Sequence, residues 1–585
     1  MGLPNLKRCT LPGSGGCSRS PDRTDALIMA VVSILYAGVA FTGLGNTESP
    51  ESFVPMENYT AFIRLPGDSF PSKIMLFSGV GEGSYHIDFS EDGLSWESAG
   101  DFQQEHVSVL KWNELVSDCE TVPRYAAVTG MGPVYLGEIA FVDADGGIIP
   151  ASPTAFADEA SEADRLSKYL VDEQDTVPPW ETYLNSSYFD EIYHARTAWE
   201  HLNGIKPYEI SHPPLGKLII ALGIKIFGMN PFGWRFMGTL FGVLMLPLMY
   251  IIAKKMFGGR AVPAACMLVF AGDFMHFTQT RIATIDTYGV FFILLMYLFM
   301  YLFISGSQES GPDRQSLVYL ALSGLFFGMG AASKWTAIYA GAGLAVIWAA
   351  YWIINHALGF RAFVKNSLFC IVFFVLVPCL IYYVSYFPYG QAAGLRGFGM
   401  FFSKEYAELV LDNQKFMFTY HSGLVAEHPY SSKWYQWLLD IKPILYYLKY
   451  FSDGSRSSFG AFVNPALCWG GLLSLPVLVY TGIFRKDRTA AFIVVGYLAQ
   501  LLPWVLITRL TFEYHYFPCT VFLIMALGYV FKLIRLGNRR WKWYVGGFVL
   551  VSTSLFVLFY PAISGMLVDN TLATRLLGWL PTWPF

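Results

Sequence analysis

Two adjacent carboxylates, Asp190 and Glu191, lie in the stretch Tyr188-Phe189-Asp190-Glu191-Ile192-Tyr193-His194-Ala195, and His212-Pro213-Pro214-Leu215-Gly216-Lys217 follows closely. Carboxylates, imidazoles and an amine together supply a general base, hydrogen-bond donors and a cation. Neighbours on a helix point about 100° apart, so this pair cannot flank a scissile bond from opposite sides. It can divide two tasks at one site, one residue as base and the other as a positioning group. It also fits an ordinary helix start, where the macrodipole favours acidic groups, and the two residues alone leave both readings open.

The elements that must position these groups are membrane spans. The chain has 585 residues, 54% hydrophobic and 14% charged, with a mean hydropathy of +0.41. That composition excludes a soluble protein and indicates a polytopic α-helical membrane protein. The net charge of −4 gives no sign of a nucleic-acid partner, and the eight cysteines show neither a CxxC nor any paired spacing. Neither a disulfide framework nor a zinc site is therefore expected.

In order, 1–25 reads as a cytoplasmic tail and 26–44 as a retained signal anchor and first span. Residues 48–150 contain short alternating runs such as Thr60–Arg64, Lys73–Phe77, Tyr85–Phe89 and Leu136–Val142, separated by turn signals, and predict a small β-sandwich. Residues 151–231 form an outer segment: an acidic connector (Asp158, Glu159, Glu162, Asp164, Asp172, Glu173, Asp175), then the Asp-Glu stretch. An apolar helix over 215–227 follows, too short to span and suited to the interface. Further spans are expected near 232–253, 261–278, 285–304, 316–333, 336–355 and 367–387. A large loop occupies 388–462, and the C-terminal part, 463–585, holds spans near 463–483, 489–507, 516–534 and 543–563, about eleven in all.

With the N-terminus inside, every inner loop is basic: Lys254, Lys255 and Arg260; Arg314; Arg361 and Lys365; Arg485, Lys486 and Arg488; Lys532 to Lys542. The Asp-Glu pair, the sandwich and the other polar candidates then share the extracytoplasmic face. Those candidates are His212, Lys217, Arg235, Arg281, Asp286, Lys334, His421, His428, Trp434, Arg509 and His515. Each has a plain structural reading as well, as an interfacial anchor, a helix cap or a hydrogen-bond partner.

The motifs "FDE-x-Y/H" and "HPPLGK", then Trp234-Arg235-Phe236, Thr280-Arg281-Ile282-Ala283-Thr284-Ile285-Asp286 and Ser333-Lys334-Trp335-Thr336, occur in that order. Later come His428-Pro429-Tyr430-Ser431-Ser432-Lys433-Trp434-Tyr435-Gln436-Trp437 and Phe512-Glu513-Tyr514-His515-Tyr516-Phe517-Pro518. Together they resemble the protein O-mannosyltransferases, with their C-type glycosyltransferase membrane fold, over about 26–44 and 185–563. Separately, Phe89-Ser90-Glu91-Asp92-Gly93-Leu94-Ser95-Trp96 resembles a turn of discoidin-like jelly rolls. No MIR module, which eukaryotic members carry, is present, which suggests a prokaryotic relative.

The resemblance implies inverting transfer of mannose from polyprenyl-phosphate-mannose to Ser or Thr hydroxyls of a protein. A phosphate leaving group departs as an anion and needs cations rather than a general acid, whereas the hydroxyl needs a base. By motif, Asp190 matches the catalytic base and Glu191 its positioning partner. Arg235 matches an arginine the family needs, and Arg281, Lys217, Arg509 and His212 are expected near the donor phosphate and sugar. No cofactor beyond the lipid-linked co-substrate is implied, and no metal is expected at the site, because no Asp-x-Asp pattern lies nearby. The alternatives are a same-fold transferase of another sugar to a lipid or glycan, a lipid-linked sugar transporter, and an inactive relative working through its sandwich.

Overall fold

The computed structural model describes residues 19–119, 121–154, 166–306 and 311–585. Among these, ten helices are long and apolar enough to cross a bilayer, or eleven with one bent pair counted as a span. Most of the expected tail and the acidic run around Asp158–Asp164 lie outside the described residues.

The first helix, Arg23–Phe41, sets the frame. Asp22 accepts from the amides of Thr24 and Asp25, while Asp25 accepts from the amide of Asp22, a reciprocal cap that fixes the helix start. Its 19 residues extend for roughly 28 Å, close to the thickness of the hydrocarbon core. At its start, buried Asp25 receives Tyr250 and Lys254, and Arg260 pairs with Asp22. At its other end, the carbonyls of Ala40, Thr42 and Gly43 receive Arg281, and that of Leu44 receives Arg235. The bundle thus has one end carrying Lys254 and Arg260 and an opposite end carrying Arg235 and Arg281.

Two expected spans differ in form. The one near 261–278 is broken into Ala261–Ala271 and Phe274–Thr280, which meet at 58°. Asp273 at the break accepts from the amides of His276 and Asn464, so it both caps the second half and ties it to a distant segment. The one near 367–387 runs from Phe360 to Ala392 and includes a wide π turn at Val372–Leu376. That turn relieves the clash between the Pro378 ring and the carbonyl four residues before it. The opposing helix, Arg314–Ser333, meets it with glycines: a Cβ on Gly324 would lie 2.2 Å from the Phe373 carbonyl oxygen, and one on Gly328 would lie 2.8 Å from Pro378.

Between the first helix and the rest lie two five-stranded antiparallel sheets. One is ordered Val54–Pro55, Tyr135–Val142, Lys73–Ser78, Lys111–Val116, with Ile148–Ile149 paired to Tyr135–Val142. The other runs Ser152–Thr154, Thr60–Arg64, Tyr125–Met131, Gly83–Ser90, Glu97–Gln104. Alternate residues of both sheets, among them Ile63, Ile74, Leu76, Ile87, Val128 and Ile139, form one buried apolar cluster. The unit is not a free appendage. Val80, Val109 and Leu110 from its loops share a second buried cluster with Ala195, Ala198, Ile220 and Trp234 of the membrane part. Phe53 lies 4.9 Å, ring to ring, from Trp199.

The expected short helix at 215–227 is Leu215–Phe227. The loop over 388–462 contains a helix, Lys404–Gly423, and a hairpin of Ile444–Tyr450 with Ser455–Ala461. Val568–Asp569 adds a third strand to that hairpin.

Candidate active site

A cavity of about 820 Å³ opens at the end of the bundle that carries Arg235 and Arg281. Its wall draws on Phe189 to His194, Glu209 to His212, Lys334 to Tyr339, the end of the helix Lys404–Gly423, and the segment Trp504–His515. Of the sequence candidates, Asp190, His212, Lys334, His421, His428, Arg509 and His515 line it; Glu191, Lys217, Arg235, Arg281, Asp286 and Trp434 do not.

The two acidic neighbours part ways. Phe189 has φ +49°, a left-handed conformation uncommon for an aromatic residue. Its ring is held 4.3 Å from Tyr446 and near Phe512 and Tyr514. This turn starts the helix Glu191–Leu202 and leaves Asp190 at its N-cap position without a side-chain capping bond. Among the described residues the Asp190 carboxylate makes no hydrogen bond or ion pair; it faces the cavity. Burial pushes its carboxyl up to about 7, Asp286 and Glu209 adding to the effect and Lys334 opposing it.

Glu191 turns inward and is fully buried. It takes a two-point fork from Arg235, 2.7 Å at each oxygen, and accepts from the amides of Ala283 and Tyr188. The remaining Arg235 donors reach the carbonyls of Leu44, Tyr183 and Ser186. Arg281 is spent in the same way, on the carbonyls of Ala40, Thr42, Gly43 and Ser564. Both arginines lie behind the wall, tying the first helix to the turn that presents Asp190.

Lys217 is also withdrawn, bonded to the carboxylate and carbonyl of Glu209 and to the carbonyl of His212. Glu209, not singled out in the sequence, organises this wall. It accepts from Lys217, from the Ser211 amide and hydroxyl, and from His212 Nδ1 at 3.0 Å. Burial works against its charge, but Lys217 and His212 outweigh burial and hold the carboxyl well below its ordinary range. Its place three residues before His212 was the available signal. His421 donates from Nε2 to the Ser211 carbonyl at 2.8 Å, leaving its ring 5.1 Å from that of His212. Burial, then His212 and Arg509, push His421 down to about 4, so it is neutral.

Opposite, Lys334 reaches Asp286 at 2.5 Å and lies 5.3 Å above the Tyr514 ring. Among the described residues Arg509 has one hydrogen bond, a 3.4 Å contact with the carbonyl of its neighbour Leu510, which leaves its guanidinium available to the cavity. His428 accepts from the Tyr430 amide, and His515 from the Phe512 amide. Trp434 packs against Tyr435 and the apolar core. The segment before Arg509 exposes Leu502, Val505 and Leu506 on the outside of the bundle. The site therefore combines an unpaired carboxylate at one side, a weakly bonded guanidinium at another, aromatic walls between them and an apolar approach.

A bundle of these spans with a polar cavity built from loops at one end is the architecture of membrane-embedded transferases of the C-type glycosyltransferase fold, and the structural match assigns the chain to it. The solved Saccharomyces cerevisiae protein O-mannosyltransferase complex bound to the sugar donor has this fold, with a TM-score of 0.59 at 14% identity over 68% of this chain and 89% of that one. Two family profiles match: "Dolichyl-phosphate-mannose-protein mannosyltransferase" over 211–383 and "C-terminal four TMM region of protein-O-mannosyltransferase" over 406–583. The polyprenol-phosphate-mannose–protein mannosyltransferase of Mycobacterium tuberculosis is 28% identical over 458 residues, covering 68% of this chain and 86% of the relative. That of Mycolicibacterium smegmatis is 25% identical over 463 residues, covering 68% and 87%. The chain belongs to the protein O-mannosyltransferase family. Asp190 and Glu191 lie ahead of both profile matches, so their placement rests on the geometry above.

Proposed function

We propose that this protein transfers mannose from a polyprenyl-phosphate donor to Ser or Thr hydroxyls of a protein, by a single inverting displacement with Asp190 as base. The observation that carries the proposal is a single cavity holding both an unpaired Asp190 carboxylate and the uncommitted guanidinium of Arg509. The donor's isoprenoid chain lies against Leu502, Val505 and Leu506, and its phosphate meets Arg509, with Lys334 and the neighbouring histidines as further donors. The acceptor hydroxyl enters beside Asp190. As its oxygen bonds to C1 of the sugar, its proton passes to the carboxylate, and the bond from C1 to phosphate breaks on the opposite face. The leaving polyprenyl phosphate takes the electron pair and is stabilised by the cations. No general acid is needed for such a leaving group.

Glu191 and Arg235 act as positioning residues in this reading. Together they hold the strained turn whose next carboxylate must stay unbonded. The basic loops support a reading in which the Lys254 end of the bundle lies in the cytoplasm and the cavity and sheets lie outside. The test is purified protein with labelled polyprenyl-phosphate-mannose and a Ser/Thr-rich peptide. Labelled peptide is expected from the wild type and near-complete loss from Asp190→Asn. Transfer undiminished in that variant would refute the assignment of the base, and label appearing only in lipid or glycan would move the acceptor to those classes.

A further inference from the structure

Away from the cavity, Glu138 occupies an unusual place. It lies mid-strand in Tyr135–Val142, opposite Phe77 in the register, on an apolar outer face with Phe77, Ala140 and Trp112. It is fully buried, and among the described residues neither carboxylate oxygen has a hydrogen-bond partner. The amides of Asp172 and Glu173 face it without completing a bond. A buried carboxylate left this way costs several kcal/mol unless something neutralises it.

Among the described residues, what faces Glu138 is not a cation but two more carboxylates. Oxygens of Glu138, Asp172 and Glu173 lie within 4.8 Å of one another. One Glu173 oxygen accepts from the Glu51 amide; Asp172 is exposed, so the cluster is open to solvent on one side. Like charges this close repel, and Asp172 and Glu173 sit in a segment that is otherwise well ordered by Gln174, whose amide bonds both the amide and the carbonyl of Ala151 and the carbonyl of Val171. The fold holds these three acids together.

We infer that Glu138, Asp172 and Glu173 form a calcium site. The donor set is all oxygen and carries up to three negative charges, which suits a hard divalent cation rather than zinc or another thiophilic metal. Irregular geometry and a solvent-facing side favour calcium over magnesium, which demands near-ideal octahedral coordination. A bound cation offsets both the burial of Glu138 and the repulsion between its carboxylate and those of Asp172 and Glu173. Its role is to staple the sheets to the connector that runs from Asp172 through Val177, which packs on the same outer face, toward Asp190.

The test uses the full-length protein in detergent, stripped with chelator, and equilibrium dialysis against radiolabelled calcium with thermal unfolding in parallel. One calcium ion per chain is expected, with a Kd at or below about 1 mM, as in extracellular modules. Asp172→Asn and Glu173→Gln, both on the solvent side, are expected to weaken binding at least tenfold and to abolish the calcium-dependent rise in Tm while the protein stays folded. Glu138→Gln should remove binding as well. Absence of saturable binding in the wild type, or equal binding in Asp172→Asn, would overturn the site. Tighter binding of magnesium than of calcium would overturn the choice of ion.

Discussion

Glu191 and Arg235 form a two-point ion pair, 2.7 Å at each oxygen, with both side chains wholly buried. The pair links the helix that begins beside Asp190 to the start of the helix Pro231–Phe257, and Arg235 extends the link to the end of the first helix through Leu44. Removing one partner leaves an uncompensated charge in a fully buried site. Arg235→Ala is expected to destabilise by about 3–5 kcal/mol, read as a fall in Tm and a loss of transfer together. Arg235→Lys should rescue little, because an ammonium cannot reproduce the fork and the carbonyl contacts at once. An Arg235→Ala variant with wild-type Tm but weakened donor affinity would instead make Arg235 a ligand of the donor.

The pH profile follows from Asp190. The base works when deprotonated, and burial pushes its carboxyl up to about 7. Activity should therefore rise with pH through about 7 and level off above it, measured as kcat/KM with the labelled peptide. Stability should move the other way. A carboxyl raised on folding contributes stability below its unfolded value near 3.8, and that contribution is lost as pH rises through about 7. Asp190→Asn, which cannot ionise, should thus raise Tm relative to wild type at pH 8 and by much less at pH 5. Loss of transfer combined with a gain in Tm above pH 7 separates a base from a residue that merely holds the fold.

These two residues also show what the sequence could and could not carry. The apolar runs announced the spans, and alternation announced strands such as Thr60–Arg64 and Lys73–Ser78, because burial on one face leaves a period of two. The motifs announced the family. Which donors remain free was not legible, since Arg235, Arg281 and Arg509 look alike in sequence. Their difference is set by carbonyls from Leu44, Tyr183, Thr42 and Ser564, none near them in the chain. Glu209 was passed over for a related reason: its weight comes from Lys217 and His212 folding back onto it. The break at Asp273 was passed over because the two halves together still make a run of span length, although Gly272-Asp273 marks the place.

Arg509 and Arg281 give a paired test of that difference. Arg509→Ala should raise KM for the lipid donor about tenfold or more, the loss expected for a charge-assisted contact, with Tm near wild type. Arg281→Ala should lower Tm, because four carbonyls lose their donor at once. Its effect on KM should follow the folded fraction. The reverse pattern would return the phosphate to Arg281.

The sheets bear on acceptor choice only if they can be changed without unmaking the site, and their packing sets how. Ser187 donates its hydroxyl to the Val109 carbonyl at 2.8 Å and its amide to the Leu110 carbonyl at 3.2 Å. The loop Val109–Leu110 therefore holds the turn three residues before Asp190, and Val80, Val109 and Leu110 are buried against the helices on either side of it. Deleting 48–150 strips that apolar contact and frees Ser187, so the expected result is an unstable chain without transfer activity, measured by thermal unfolding and size exclusion. Ser187→Ala is the mild version. It removes one hydrogen bond, worth about 1 kcal/mol, and should lower kcat more than it raises KM for the donor, since Arg509 stays in place. A deletion that unfolds like wild type and still labels peptide would mean that the contact with Asp190's turn is incidental. The sheets would then be a detachable module, and their influence on the reaction would have to be sought in the acceptor alone.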